Sequence, residues 1–220
     1  MELKGKVINF LGDSITYGHG LENSVFRFSD ILKKKYNLKS SNNYAISGTR
    51  IAKQKNPKPN AFEDKLDFCR RCGEMEKADV IIVFGGVNDY QHGDAPMGTF
   101  LDRTSDTFCG ALHFLYSKLK EKYKGTSIVI VTPLHMVGDT KKGGRYPEYK
   151  EPLILEDYVN VIKKTAKYYG FPVLDLFSYS NLDPNYNELR LKYMPDGIHP
   201  NAEGHKIIAD LIGNFLENLV

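Results

Sequence analysis

Five positions in this chain of 220 residues combine residue types suited to acyl transfer. They are Ser14 in Gly12-Asp13-Ser14, Gly48 in Ser47-Gly48-Thr49-Arg50, Asn88 in Gly85-Gly86-Val87-Asn88-Asp89, and Asp196 with His199 in Asp196-Gly197-Ile198-His199. Cleaving an ester this way needs a nucleophile, a base for its proton, a group that orients the base, and donors for the oxyanion. Ser14 is the candidate nucleophile; a serine hydroxyl is weak without an adjacent imidazole, and His199 is the candidate base. Asp196, three residues earlier, can reach the second ring nitrogen from the same turn and fix the tautomer. The backbone N–H groups of Ser14 and Gly48 and the side-chain amide of Asn88 are the candidate oxyanion donors. Taken singly, each has a plain structural reading: a strand-ending turn, a turn-capping asparagine, an Asx-turn, a helix-entry histidine.

The elements around these positions decide whether they can meet. The apolar run 7–11 breaks into Gly-Asp-Ser, as a buried strand ending in a tight turn does. Ser24 reads as the cap of a helix with Val25, Phe28, Ile31, Leu32 and Tyr36 at helical spacing. Residues 42–46 read as a second strand, 51–60 as a loop and 61–72 as a helix. Residues 79–84 are β-branched and apolar throughout, which predicts a central parallel strand. A polar loop to Gly98 follows, then a long amphipathic helix marked by Leu101, Thr104, Phe108, Leu112, Leu115 and Leu119. Residues 127–132 are a fourth strand stopped by Pro133. Residues 134–152 carry no period, and a loop of that length inside a compact domain is usually functional or mobile. A helix through Leu155, Tyr158, Val159, Ile162 and Ala166 ends at Gly170. Residues 172–176 form a short fifth strand, 178–195 are irregular, and a last helix carries Ile207, Ile208, Leu211, Ile212, Phe215, Leu216 and Leu219 on one stripe. Five strands alternating with helices predict an α/β fold of three layers, helices on both faces of a parallel sheet, in a single domain over 1–220. In such a sheet the candidate positions all lie at one edge, where ligands bind.

Composition narrows the class. Hydrophobic residues make up 41% and charged residues 26%, ordinary for a soluble globular chain. A net charge of +3 argues against a nucleic-acid partner. No apolar run is long enough to span a membrane. No signal peptide is evident, and with three cysteines the simplest expectation is reduced thiols in the cytoplasm. Cys69-Arg70-Arg71-Cys72 has the spacing of a metal or redox pair but lacks a second pair, so it reads as a chance i,i+3 pair on a helix.

The four blocks in this order resemble those of the SGNH hydrolases, the GDSL-type esterases and lipases, over nearly the whole chain. Gly12-Asp13-Ser14 is similar to the first block, with Ile15 where leucine is commoner. Asn43-Tyr44-Ala45-Ile46-Ser47-Gly48 is similar to the second, Gly86-Val87-Asn88-Asp89 to the third, and Asp196-Gly197-Ile198-His199 to the last. The resemblance implies a five-stranded flavodoxin-like sheet, no metal, no cofactor, and the residue roles set out above.

The expected activity is hydrolysis of a small-molecule ester through an acyl-enzyme on Ser14. Polar, aromatic and basic loops without a long apolar lid point to short acyl groups, acetyl first, on a carbohydrate or another polar alcohol. A thioesterase or lysophospholipase would use the same triad, and a binding domain could keep the fold without the chemistry. Arg50, Tyr90 and His135 are candidate substrate contacts. Asp13 and Asp89 are expected to brace the site loops. His19, His92, Tyr146 and Tyr149 are further rim positions, each also readable as a solvated loop residue.

Overall fold

Parallel pairing of five strands sets the level at which every loop of the upper edge leaves the sheet. A computed structural model of the chain describes residues 1–55, 66–148 and 150–219. The strands are β1 (Val7–Gly12), β2 (Ser40–Asn43), β3 (Val80–Phe84), β4 (Ser127–Val131) and β5 (Val173–Leu174), in the order β2-β1-β3-β4-β5. All pairs are parallel; Gly12 lies beside Phe84, and Phe84 beside Val131. This is the doubly wound order whose crevice lies at the reversal beside β1 and β3.

The helices are α1 (Ser14–Tyr17), α2 (Phe28–Tyr36), α3 (Phe68–Arg71), α4 (Val87–Gln91), α5 (Phe108–Lys122), α6 (Leu155–Tyr169), α7 (Leu176–Tyr179), α8 (Asn187–Tyr193) and α9 (Ala202–Glu217). The strand residues alternate between two cores. Leu11, Ile81, Val83, Ile128 and Ile130 pack with Phe68 of α3, Leu112, Leu115 and Leu119 of α5, and Val159 and Ile162 of α6. Ile8, Phe10, Val80, Ile82, Phe84, Val129 and Val131 pack with Phe28 and Leu32 of α2 and Ile208, Ile212 and Leu216 of α9. Each of these side chains is worth about 1.5–3 kcal/mol when fully buried, so both helix layers are held by the sheet's apolar pleat.

Several boundaries differ from the sequence expectation. Ser24 does not cap the first long helix: Asn23 accepts from Val25 N–H in a 3₁₀ turn at Ser24–Phe26, and α2 begins after an extended Arg27. Val25 is exposed rather than on the buried face. The helix expected from Leu101 begins seven residues later, because Thr107 caps it by accepting from Gly110 N–H at 3.1 Å; Leu101 is 82% exposed. Of the expected helix 61–72, residues 61–65 lie outside the described set, and of the rest only Phe68–Arg71 is helical, as α3. β2 begins two residues and ends three residues before the expected 42–46, a polar edge strand that continues as irregular bonds from Tyr44 N–H to Phe10 O and from Ile46 N–H to Gly12 O. The region 178–195 is not wholly irregular, since it holds α8.

His205 of α9 is fully buried, with Nδ1 accepting from Phe28 N–H at 3.2 Å and its ring stacked on Phe28. Burial, with the nearby charges of Arg27 and His199, pushes its pKa down from 6.5 to about 4. The unfolded chain takes up a proton below pH 6.5 that the folded ring refuses. Stability from this site is whole above that pH and is lost as pH falls toward 4. Between pH 7 and pH 5 the loss is on the order of 1–2 kcal/mol. Asn at this position keeps an acceptor for Phe28 but does not titrate. Urea titrations of wild type and His205→Asn should therefore show the wild type losing that much more over the interval, other groups cancelling in the difference. Equal losses in the two proteins would rule the effect out.

Candidate active site

β1 ends in a turn so tight that a Cβ on Gly12 would lie 2.1 Å from Thr16 Oγ1. Asp13 caps α1, its carboxylate accepting from Ile15 N–H at 3.1 Å. Ser14 is the first residue of α1, so its N–H has no partner one turn back. The loop before α9 brings in the rest. His199 Nε2 lies 2.9 Å from Ser14 Oγ, and His199 Nδ1 lies 2.6 Å from Asp196 Oδ2. The other Asp196 oxygen accepts from Ile198 N–H at 2.9 Å and His199 N–H at 2.7 Å. Burial raises the Asp196 pKa, but these hydrogen bonds from His199 and Ile198 outweigh it and hold the carboxyl below its ordinary value. The carboxylate is half exposed, so its hold on the imidazole comes from hydrogen-bond geometry rather than from a dry site. The arrangement can carry a proton from Oγ to Nε2 while Nδ1–H stays on the carboxylate.

Two other strand ends on the same sheet edge carry the remaining candidate donors. Gly48 has φ +77°, a left-handed conformation that favours glycine. Asn88 lies on α4, just past β3, and is buried; its Nδ2 donates to Thr49 O at 3.0 Å, leaving a second amide proton available. Its Oδ1 lies 3.0 Å from His92 Nε2, and His92 Nδ1 lies 3.0 Å from Arg50 Nη1.

Residues 10–207 match the sequence profile of the GDSL-like Lipase/Acylhydrolase family. The chain belongs to that family. An acetylxylan esterase of Xylanibacter ruminicola is 25% identical over 226 residues, covering 92% of this chain; the chain spans 41% of that relative's length. A solved structure from Lactobacillus plantarum is 28% identical, covers 99% of both chains and superposes with a TM-score of 0.81. A carbohydrate acetylesterase family member from Sinorhizobium meliloti shares the fold at TM-score 0.65 and 16% identity, over 96% of this chain and 97% of its own.

In this member of the GDSL-like family the loops of the site are braced by buried charge. Asp89 accepts from Ile51 and Ala52 N–H at 2.9 Å each, tying α4 to the loop after Gly48. Burial is the largest influence on its carboxyl and raises the pKa to about 6, against the N–H bonds of Ala52 and Ile51 and the charges of Arg50 and Lys150. Asp13 is raised by burial to about 7, against the Ile15 N–H and the charge of Arg71. Arg71 is the brace that sequence reasoning missed. It donates to Leu66 O (2.8 Å), Gly12 O (2.7 Å), Thr49 Oγ1 (2.8 Å) and Tyr44 O, so one guanidinium joins the Ser14 turn to the Gly48 loop. Burial lowers its pKa to about 10, which leaves it charged at neutral pH. Lys150 was also missed as a brace. It donates to Asp89 O and Tyr90 O at 2.5 Å, fastening the long loop onto α4.

The candidate substrate contacts fare differently. Tyr90 is corrected: at 1% exposure it offers no face to a sugar, and its single hydroxyl proton is shared between Gly138 O and Lys141 O instead. Arg50 is not a surface residue; it is 5% exposed and donates to Gly48 O at 3.3 Å besides meeting His92. His135 sits 2.5 Å from Asp139 and against Phe177, and that hydrogen bond raises its pKa. It braces its own turn, whose Val137 N–H donates to Gly197 O beside Asp196. His19 is exposed, with its ring centroid 4.5 Å from that of His199. Tyr146 is partly exposed, and Tyr149 lies outside the described residues. Cys69 and Cys72 are buried free thiols whose hydrogens go to Ala111 O and Cys69 O. Among the described residues no group of three His, Cys, Asp or Glu side chains could hold a metal ion, and no helix is long and apolar enough to cross a membrane.

Lysine cannot reproduce the Arg71 fork: a single ammonium has three donors and no planar spread. Arg71→Lys should leave buried carbonyls unpaired and cost about 1–3 kcal/mol per lost partner. Thermal unfolding and esterase assays on the variant test this; an unchanged midpoint with full activity would show that Arg71 is dispensable.

Proposed function

We propose that Ser14 is the nucleophile of a short-chain esterase, with His199 as general base and Asp196 as its orienting partner. The observation that carries the reading is the unbroken chain from Ser14 Oγ through the His199 ring to Asp196, at 2.9 and 2.6 Å. His199 takes the hydroxyl proton as Oγ attacks the ester carbonyl. Asp196 holds Nδ1–H and stabilises the imidazolium. The tetrahedral oxygen is received by the N–H groups of Ser14 and Gly48 and the free amide proton of Asn88. His199 then gives its proton to the departing alcohol, and an activated water releases the acyl group from Ser14.

For substrate we infer an acetyl ester of a carbohydrate or similar polar alcohol. Three things support this. The acetylxylan esterase relative aligns along most of the chain. The rim beside His199 is open and polar-aromatic: Tyr17, one turn after Ser14, is 53% exposed, and His19 packs on the catalytic ring. The long loop is pinned by polar bonds, with Arg145 N–H on Gln91 O and Gly143 N–H on Leu153 O, and carries charged and small residues instead of an apolar lid.

Nitrophenyl acetate, butyrate and octanoate, together with acetylated xylo-oligosaccharides, separate the parts of this reading. Ser14→Ala, verified as folded by circular dichroism, should lose at least about a thousandfold in kcat. Activity that survives in Ser14→Ala would overturn the nucleophile. Fastest turnover of octanoate, or no release of acetate from the oligosaccharides, would overturn the acetyl-carbohydrate substrate while leaving the nucleophile standing. Asn88→Ala should lose on the order of a hundred- to a thousandfold in kcat with little change in KM.

A further inference from the structure

Asn88 reaches the site by a side chain, and an amide side chain has two ends. Turned one way it presents N–H protons to an oxyanion; turned the other it presents a carbonyl oxygen, which would repel the charge it is meant to receive. Something must choose. Part of the choice is Thr49 O, which accepts from Nδ2 at 3.0 Å. The other part is His92, one helical turn after Asn88, with Nε2 3.0 Å from Oδ1. An imidazole nitrogen can donate or accept, so His92 enforces the amide's direction only if Nε2 carries the proton. Arg50 supplies that condition. Its Nη1 lies 3.0 Å from His92 Nδ1, and a guanidinium only donates. Nδ1 must therefore accept, which leaves the ring's single proton on Nε2, donating to Asn88 Oδ1. Arg50 itself is 5% exposed and its Nη1 also reaches Gly48 O at 3.3 Å, so the first link of the chain is held by the oxyanion loop.

We propose that His92, locked in its Nε2–H tautomer by Arg50, is a positioning residue that fixes the direction of the Asn88 amide. This rests on the reading of Asn88 as an oxyanion donor. His92 touches no reacting atom; it acts through the amide alone. Its effect belongs to kcat, because the interaction it protects strengthens as charge develops.

The test is a cycle of folded variants assayed on nitrophenyl acetate. His92→Phe removes the donor and keeps an aromatic ring. His92→Gln keeps an N–H close to the Nε2 position. His92→Phe should lose roughly ten- to a hundredfold in kcat, a fraction of the full oxyanion-donor effect, with KM within about twofold. His92→Gln should recover to within about fivefold of wild type. In an Asn88→Ala background His92→Phe should cost nothing further, since the amide it directs is gone. The ¹⁵N spectrum of the wild-type ring should show Nδ1 unprotonated and Nε2 protonated, a readout that does not depend on any variant folding. Full activity in Asn88→Ala would defeat the oxyanion reading itself. A damaging Asn88→Ala with an innocuous His92→Phe, an additive double variant, or a protonated Nδ1 would each overturn the positioning role and leave that reading intact.

Discussion

The register of β1 against β3 is the constraint on which the site depends. Because Gly12 lies level with Phe84, the turn carrying Ser14 and the turn carrying Asn88 leave the sheet at the same height, on adjacent strands. Parallel pairing is what permits this, since it sends every strand's C-terminal end to one edge. A slip of one residue would exchange the two faces of the pleat and bring Ile8 and Phe10 out of one core into the other. The two apolar cores thus fix the site indirectly: they hold the register, and the register fixes the height of each loop. His199 comes to the same edge by another route, from the loop that starts α9, which is held down by Ile208, Ile212 and Leu216.

Sheet register alone does not set positions to within a hydrogen bond. That finer work falls to buried polar groups. Arg71 holds carbonyls from β1, from the residue after β2 and from the segment before α3, while Asp89 holds the two N–H groups after Arg50. Burying these ions costs several kcal/mol each, and replacing them with apolar side chains would often leave a fold as stable or more so. What an apolar replacement cannot do is specify where a loop's backbone sits. The raised carboxyl pKa values of Asp13 and Asp89 record the strain of keeping charge out of water, and the lowered pKa of Arg71 records the same on the cation. The protein accepts a weaker energetic balance around the site and receives a rigid arrangement of donors, which electrostatic catalysis requires.

Much of this was legible in the sequence, and what was not has a common cause. β3 and β4 were visible because central parallel strands are apolar on both faces, and α6 and α9 because their apolar stripes repeat at helical spacing. The residues forming the Ser14–His199–Asp196 chain were visible because local chemistry marks each of them: a strand that stops in Gly-Asp-Ser, and an Asp and a His three apart in a glycine turn. Arg71 gave no such mark. An arginine in Cys69-Arg70-Arg71-Cys72 looks like a solvated helix residue, and its partners are carbonyls scattered over residues 12 to 66. Tyr90 failed for the converse reason: a tyrosine in a polar loop can stack on a sugar, but helix α4 turns this ring inward against Tyr158 of α6 and the carbonyls of the long loop. His92 carried a usable signal, the i,i+4 spacing from Asn88, which becomes meaningful only once the segment is known to be helical. Local pattern reports what a residue can do; long-range pairing decides which of these it does.

The arrangement around Arg50 joins these two levels. Its guanidinium touches the carbonyl of Gly48 and the ring of His92, which in turn meets the amide of Asn88. On the proposed reading, two of the three oxyanion donors are thereby referred to one buried cation, although they come from strands that are not neighbours in the sheet: β2 lies on one side of β1 and β3 on the other. The third donor, at Ser14, opens α1 just past the end of β1, between them, and its turn is tied to the same loop through Arg71. Two arginines, 21 residues apart, thus connect three strand ends that the backbone ladder leaves independent above its last hydrogen bonds. An oxyanion hole built from separate loops is only as good as the relative placement of its donors. A planar, permanently charged fork, which can engage several oxygens at once without changing protonation, is the side chain best suited to hold that placement across the working pH range.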